Sequence, residues 1–420
     1  MVKLVEKHIV TRQHSDFQEI DIISKNSAKL YNVALYLIQT TFRETNKYLG
    51  YRKVQKILQD TNAFYYRSLP AKVAQQTLRL LHKNYVSYFA TLKLYKQGKL
   101  EICPSPPGFK KSVGGRNIIT YTTQALSKPL LQKGVISPSK TDIRVRTKQS
   151  PKSIQQVRIV PLSSLAYKVE VVYSIQEKHQ TLDPDKYASI DLGVNNLATL
   201  AFNFRSALII SGKPLKSINH FWNKTIAKEK KRLSKQGLKT SNYVKELNLK
   251  RNNKVENYLH NASRAIVNLL LKEQVSTLVI GYNLGWKINV NNGKKNNQNF
   301  VEIPFLTFVR QLQYKCLLIG IKVVLVNEAY TSKCSFLDNE LVGYHNSYSG
   351  KRISRGMFRT ADRKRVNADV NGALNILVKA FPDIKFQNLM NGIQGLVFGK
   401  RSLVVNPLRL IPYKTAENIL

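Results

Sequence analysis

Two short phrases carry the residues best able to do chemistry. Ala188-Ser-Ile-Asp-Leu-Gly-Val-Asn-Asn-Leu-Ala-Thr199 reads as a strand ending in the carboxylate of Asp191, with Gly193 turning the chain into a second strand. Val366-Asn-Ala-Asp-Val-Asn-Gly-Ala-Leu-Asn-Ile-Leu377 reads as a helix opening on Asp369, with Ala373, Leu374 and Leu377 as its apolar face. Two carboxylates drawn together from such distant points of a chain are what a divalent-metal phosphodiesterase centre requires.

The elements around these phrases have a recognisable order. From Lys186 the pattern runs strand, strand, strand, long helical region, strand, helix, strand, helix. Strands are expected over 186–192, 197–203, 207–210, 277–281 and 321–327, and helices over 214–274, 306–319 and 369–380. Three antiparallel strands followed by alternating helix and strand is the order of an RNase H-like layer. Residues 224–254 are the most basic stretch, and Lys230, Lys231 and Arg232 lie within it. Beside a phosphodiesterase core, such a stretch predicts a surface that tracks a phosphate backbone rather than a merely solvated helix pair.

The first part of the chain reads differently. Residues 1–24 alternate weakly and predict a strand or two. From Ser27 to Tyr48 apolar residues recur at helical spacing (Leu30, Val33, Leu37, Phe42), and Gly50 stops the run. Pro70 opens a longer helix whose stripe is Val73, Leu78, Leu81, Tyr85, Phe89 and Leu92, with Gly98 just past its end. The opposite face repeats Lys72, Gln76, Arg79 and Lys83. Prolines and glycines then break the helix, and Tyr167–Tyr173 alternates apolar and charged residues as a strand does. A small β-barrel or sandwich is expected over 99–182. Pairing of that barrel with the N-terminal strands would make the helices of 25–98 an insertion.

Composition narrows the function classes. Lys+Arg number 67 against 25 Asp+Glu, a formal charge of +42 in 420 residues. A chain so basic repels itself unless a polyanion is present, so nucleic acid is the expected partner. The three cysteines, Cys103, Cys316 and Cys334, have no paired spacing, which fits a reducing compartment. The longest apolar run, Cys316 to Val326, is too short to span a bilayer and contains Lys322. The N-terminus lacks a signal-peptide core. No membrane partner is expected, and the setting reads as a prokaryotic cytoplasm.

These phrases together resemble TnpB (OrfB) proteins, the RNA-guided nucleases encoded by insertion sequences and related to the ancestors of type V CRISPR effectors. The resemblance rests on Ile190-Asp-Leu-Gly-Val-Asn-Asn-Leu-Ala-Thr199 and Asn367-Ala-Asp-Val-Asn-Gly-Ala-Leu-Asn-Ile376, with Tyr330-Thr-Ser-Lys333 between them. Leu69-Pro-Ala-Lys-Val-Ala-Gln-Gln76, Tyr121-Thr-Thr-Gln-Ala125 and Val157-Arg-Ile-Val-Pro161 extend it. It implies an α+β multidomain chain: barrel strands over 1–24, a helical recognition lobe over 25–98 and an oligonucleotide-binding (wedge) barrel over 99–182. A RuvC-type nuclease domain would fill 183–380, with a basic helical insertion at 214–274 and a degenerate zinc-ribbon-like loop at 330–366, leaving 381–420 as a tail. The partners implied are a guide RNA and a target DNA, with one chain on one RNA as the expected assembly. Base pairing would read the sequence, and the protein would read duplex shape and a short adjacent motif. Asp191 and Asp369 match the first and third carboxylates of the RuvC centre. Lys72, Gln76 and Thr123 fall where the family reads the adjacent motif.

Two departures bear on the chemistry. A tetrahedral zinc takes four Cys or His ligands, yet Cys334 and His345 stand alone between Thr331 and Asp369, so no zinc is expected. The family's middle carboxylate follows the fourth strand, where this chain has Gly281. Glu328, at the end of the fifth strand, is the candidate replacement, because in an RNase H-like layer the fifth strand lies beside the fourth and the fourth beside the first. Strands stand about 4.8 Å apart, so a glutamate there is within reach of the place Gly281 leaves empty.

The expectation is an Mg²⁺-dependent RuvC-type DNA endonuclease with Asp191, Glu328 and Asp369 as catalytic metal ligands. A nuclease-dead RNA-guided repressor or targeting protein is the alternative. A DDE-type transposase would suit the carboxylates but would leave the helical lobe unexplained.

Overall fold

The computed structural model describes residues 1–111, 114–283, 298, 300–386 and 407–412. It divides into two compact units, Met1–Ile175 and Gln176–Leu420.

In the first unit, strand β1 (Val2–Thr11) is followed by helices α1 (Phe17–Thr45), α2 (Tyr51–Asp60), α3 (Phe64–Arg67) and α4 (Ala71–Lys96). Then come β2 (Ile119–Thr122), α5 (Lys128–Gln132), β3 (Val135–Ile136), β4 (Val145–Arg146), β5 (Ile154–Ser163) and β6 (Ala166–Ile175). The main sheet has the order β1-β6-β5-β2, so the helices interrupt a sheet that the N-terminal strand rejoins. The expected boundary at residue 24 falls inside a helix, because α1 starts at Phe17. Its first turns bury Phe17, Ile20 and Ile23 at helical spacing, a signal overlaid by the alternation that precedes it.

The buried faces of the two long helices also differ from those expected. In α1 they are Leu30, Tyr31, Ala34 and Ile38, whereas Val33 and Phe42 are exposed. Ser27 of this face bonds Thr77 of α4 at 2.8 Å, so a buried hydroxyl pair joins the two helices beside their apolar residues. In α4 the stripe Val73, Leu78, Leu81 and Tyr85 is buried, but Phe89 is exposed and Leu92 only half-buried, because α4 projects beyond the core.

The second unit is built on β7 (Asp183–Leu192), β8 (Asn196–Phe202), β9 (Leu208–Ser211), β10 (Val275–Gly281) and β11 (Lys322–Val326). Helices α6 (Lys213–Ser234) and α7 (Asn242–Lys272) separate β9 from β10, and α8 (Phe305–Leu317) precedes β11. Three short strands, β12 (Lys351–Ser354), β13 (Met357–Arg359) and β14 (Arg365–Asn367), lead into α9 (Ala368–Ala380), and β15 (Leu408–Leu410) follows. The sheet order is β11-β10-β7-β8-β9-β15. β10 runs parallel to both β7 and β11, while β7, β8 and β9 form an antiparallel meander. The fifth strand thus lies beside the fourth and the fourth beside the first. β15 falls in the expected tail, yet it extends the sheet by pairing parallel to β9.

α7 and α8 bury Leu259, Ile266, Phe308 and Leu312 in the same core cluster as β7 and β10. α9 presses Ile376 and Leu377 on Val279 of β10 in a separate cluster. No helix among the described residues is long and apolar enough to cross a membrane.

Candidate active site

Asp191 is the penultimate residue of β7, where the strand is about to turn. Gly193 makes that turn because the chain doubles back closely: a Cβ there would meet the Asn196 carbonyl oxygen at 2.8 Å. Asp369 sits in the first turn of α9, whose N-cap Asn367 accepts bonds from the amides of Asp369 at 3.0 Å and Val370 at 3.2 Å. The helix lies close over Asp191 because it presents glycine: a Cβ on Gly372 would stand 2.9 Å from Asp191 Oδ2. Sequence and packing therefore bring the two aspartates into one electrostatic site.

Glu328 follows β11 by two residues. A Cβ built on Gly281 would lie 3.4 Å from the Glu328 Cβ. Asn283 brackets the glutamate, accepting from its amide at 3.1 Å and reaching its Oε1 at 3.5 Å. Thr331 holds the Glu328 carbonyl through its hydroxyl at 2.7 Å and its amide at 3.2 Å.

Asp191 feels both of the other acids. Burial pushes the Asp191 carboxyl well above the usual carboxylate range, and Asp369 and Glu328 add like-charge repulsion. Burial alone lifts Glu328 to about 7. Arg352 on β12 lies 3.7 Å from Asp369 Oδ1 and opposes the shift of Asp191. Asn196 donates to Asp369 Oδ2 at 2.5 Å, and Arg409 of β15 bonds the Asn196 side-chain oxygen in turn.

Could these residues hold a divalent ion? Among the described residues no three His, Cys, Asp or Glu side chains converge tightly enough to hold one as they stand. The donor set nevertheless suits magnesium: hard carboxylate oxygens on three elements, with a repulsion at Asp191 that a cation would relieve. Arg352 and Asn196 meanwhile engage the two carboxylate oxygens of Asp369.

The loop at 330–366 is pinned to α9 by amides. Asn371 and Asn375, both buried, donate to the Cys334 carbonyl at 2.8 and 2.7 Å, and Asn375 also donates to that of Thr331 at 2.9 Å. The Glu340 carboxylate accepts from the amides of Ser335 at 2.7 Å and Ser349 at 2.9 Å. Cys334 Sγ and His345 Nε2 each engage a backbone carbonyl, of Gly343 and Leu341.

Three matches show what the chain is similar to. Residues 170–287 match the OrfB_IS605 family model, described as "Probable transposase", and 305–376 match the Cas12f1-like TNB domain model. The chain is 25% identical over 411 residues to the TnpB-like protein ORF457 of Acidianus two-tailed virus, covering 89% of this chain and 86% of that one. The chain is similar to TnpB proteins along most of its length. Its mixed α/β multidomain fold is shared with the Cas12f1 of a cryo-EM Cas12f1-sgRNA-target DNA complex, at a TM-score of 0.52 and 17% identity, covering 87% of this chain and 83% of that one.

Elsewhere in this TnpB-like chain, Lys72 on α4 donates to Gln124 at 3.0 Å, beside the exposed Thr123, while Gln76 is half-buried one turn further along α4. Lys230, Lys231 and Arg232 are all exposed near the end of α6. Arg232 is tied to Glu229 at 2.8 Å. The sequence reading missed Asn196, Asn283, Arg352 and Arg409. Asn367, Asn371 and Asn375 recur every four residues, a visible signal of an amide-bearing helix face. Nothing in the sequence marks Arg352 or Arg409 among so many basic residues.

Proposed function

We propose that this chain is an RNA-guided DNA endonuclease of the RuvC type, with Asp191, Glu328 and Asp369 as the ligands of Mg²⁺. The observation that carries the reading is Glu328, an acid held by Asn283 and Thr331 beside the glycine where the acid is missing and adding its charge to Asp191. An acid of no function would gain more by facing solvent or a lysine than by crowding a buried aspartate. The strand order of the second unit supports an RNase H-like layer, and the helix-interrupted sheet of the first supports an oligonucleotide-binding barrel with an inserted lobe.

In this reading Asp191 is the acid on which the charges of the other two act, Asn196 and Arg352 orient Asp369, and Asn283 orients Glu328. When bound, Mg²⁺ supplies Lewis-acid activation of water and stabilisation of the leaving 3′-oxygen. Guide RNA and target DNA are the partners, as the Cas12f1 complex carries sgRNA and target DNA, and a charge of +42 suits two polyanions. Lys72, Gln76 and Thr123 would read the motif beside the target.

A second reading, a nuclease-dead targeting protein, draws on Gly281 and on the Arg352–Asp369 ion pair, which gives Asp369 a cation of its own. Cleavage of a guide-matched DNA with and without Mg²⁺ separates them. Metal-dependent cutting abolished by Asp191→Ala and Asp369→Ala supports the enzyme. Guide-directed binding without cutting supports the targeting protein.

A further inference from the structure

The second unit carries an aromatic and basic stripe that the carboxylate site does not use. Lys213, Ser217, Phe221, Lys224, Lys228 and Lys231 succeed one another along α6 at spacings of three and four, and all are exposed. The opposite side of α6 is buried through Leu215, Ile226 and Leu233. Phe221 is 65% exposed, and Tyr243, in the first turn of α7, is 50% exposed. Large aromatic rings left in water on a lysine-rich face are unexplained by folding alone.

Both rings line a hollow of about 780 Å³ whose other walls include Lys224, Lys228, Lys231 and Lys235. The acid there, Glu229, is tied to Arg232 at 2.8 Å and accepts from Ser241 at 3.0 Å. Phe221 also borders a second hollow, of about 310 Å³, with Trp222, Lys250 and Lys254. The Arg251 guanidinium covers the Trp222 ring at 5.4 Å, and the indole N–H donates to Asn248 at 2.9 Å, so that ring is already held in place.

The start of the stripe is joined to the carboxylate site through the turn at Asn195 and Asn196. Gly212, just before α6, donates to the Asn195 carbonyl at 2.8 Å, and Lys216 reaches the Asn195 side chain at 2.8 Å. The next residue, Asn196, is the one that holds Asp369. Phe221 lies nine residues along the helix from Gly212, about 13 Å at the helical rise.

We propose that the α6–α7 hairpin is a platform for single-stranded DNA, with unpaired bases stacking on Phe221 and Tyr243 while the flanking lysines follow the phosphates. Cationic walls and exposed rings together suit an unpaired strand, because a duplex hides its base faces. The inference rests on the nuclease reading, since it takes the strand to be the one led to Asp191 and Asp369.

The test uses the full chain with a chelator present, so that no strand is cut. Binding of oligo(dT), oligo(rU) and a duplex of equal length is measured for wild type, Phe221→Ala, Tyr243→Ala and the double variant. Each substitution is expected to weaken oligo(dT) binding about tenfold and leave the duplex nearly unchanged. The slope of log K against log salt should not move, because no charge is removed. Phe221→Trp should retain the affinity, which separates stacking from misfolding. Photo-crosslinking of 5-iodouracil-containing oligo(dT) should map to Phe221 or Tyr243. Unchanged oligo(dT) affinity in the double variant, or adducts confined to other segments, overturns the platform. A greater loss for oligo(rU) than for oligo(dT) overturns its assignment to DNA. Asp191-dependent cleavage is scored separately with Mg²⁺, so failure of the platform and failure of the nuclease reading are told apart.

Discussion

A Cβ atom placed on Gly281 would stand 3.4 Å from the Cβ of Glu328 and 2.5 Å from Cδ1 of Ile376. The two distances describe one arrangement. Ile376, fully buried on α9, fills the space that a side chain on the fourth strand would need, and the glutamate stands next to that space, two residues past the end of the neighbouring strand.

If Glu328 supplies the third carboxylate, Glu328→Gln keeps its shape and loses the charge. Its loss of cleavage should exceed the roughly 10–100-fold typical of removing an outer-sphere partner of a metal ligand. Guide-directed DNA binding, measured by electrophoretic mobility, should be unchanged. Cleavage within threefold of wild type would leave Glu328 a bystander.

Returning the acid to its usual strand requires more than a swap. Gly281→Glu with Glu328→Ala forces a side chain onto Ile376, so this pair should be inactive with a lowered Tm. Adding Ile376→Ala removes the obstructing atoms. The triple variant should recover part of the Mg²⁺-dependent cutting, and recovery by the double variant alone would contradict the packing argument.

What the sequence allowed to be read follows from periodicity. Strands β7 to β11 and the start of α9 are legible because apolar strand runs, buried throughout in β8 and β9, and a capped helix leave strong local patterns, as at Thr277–Ile280 and Asn367–Leu377. The proximity of Glu328 to Gly281 is legible too, since strand order follows from chain order. The first turns of α1 are less so: Phe17, Ile20 and Ile23 recur at helical spacing, but the alternation that precedes them reads as strand. Arg409 is not legible at all. Its bond to Asn196 depends on β15 choosing the edge of β9, a long-range pairing that no local pattern announces.

Asn196 should act on the site through Asp369. Asn196→Ala removes the donor at 2.5 Å, and cleavage should fall about 10–100-fold, as for other residues that orient a metal ligand. Asn196→Asp should fall further, because it sets a like charge against Asp369. Mn²⁺ binding followed by electron paramagnetic resonance should weaken in the first variant. Unaltered Mn²⁺ affinity and cutting would confine Asn196 to the turn.

Neutralising Lys230, Lys231 and Arg232 together should flatten the salt dependence of nucleic-acid binding. Arg232 is already paired with Glu229, and its removal frees that acid beside the phosphates. Each lost phosphate contact should lower the slope by about 0.9 for a duplex and 0.7 for a single strand. A slope equal to that of wild type would mean that the end of α6 is only solvated.

Lys315 gives a test of the fold that is independent of any partner. It is buried on α8, where its ammonium donates to the His260 carbonyl at 2.8 Å and to the Ser263 hydroxyl at 2.6 Å. Desolvation lowers it from an ordinary 10.5 to about 8. Below that value both the folded and the unfolded chain carry the charge, and the folded state bears the full penalty of burying it. Between about 8 and 10.5 the unfolded chain holds more protons, so stability rises with pH, by up to about 1.4 kcal/mol per unit. Across the window the gain is on the order of 3 kcal/mol. Lys315→Met should abolish this rise and raise the Tm at pH 7, less the stabilisation of two hydrogen bonds at about 1 kcal/mol each. Thermal unfolding of the free protein from pH 7 to 10.5, compared between wild type and variant, reads the difference directly. Parallel curves for the two proteins would mean that Lys315 carries its proton as easily inside α8 as in water.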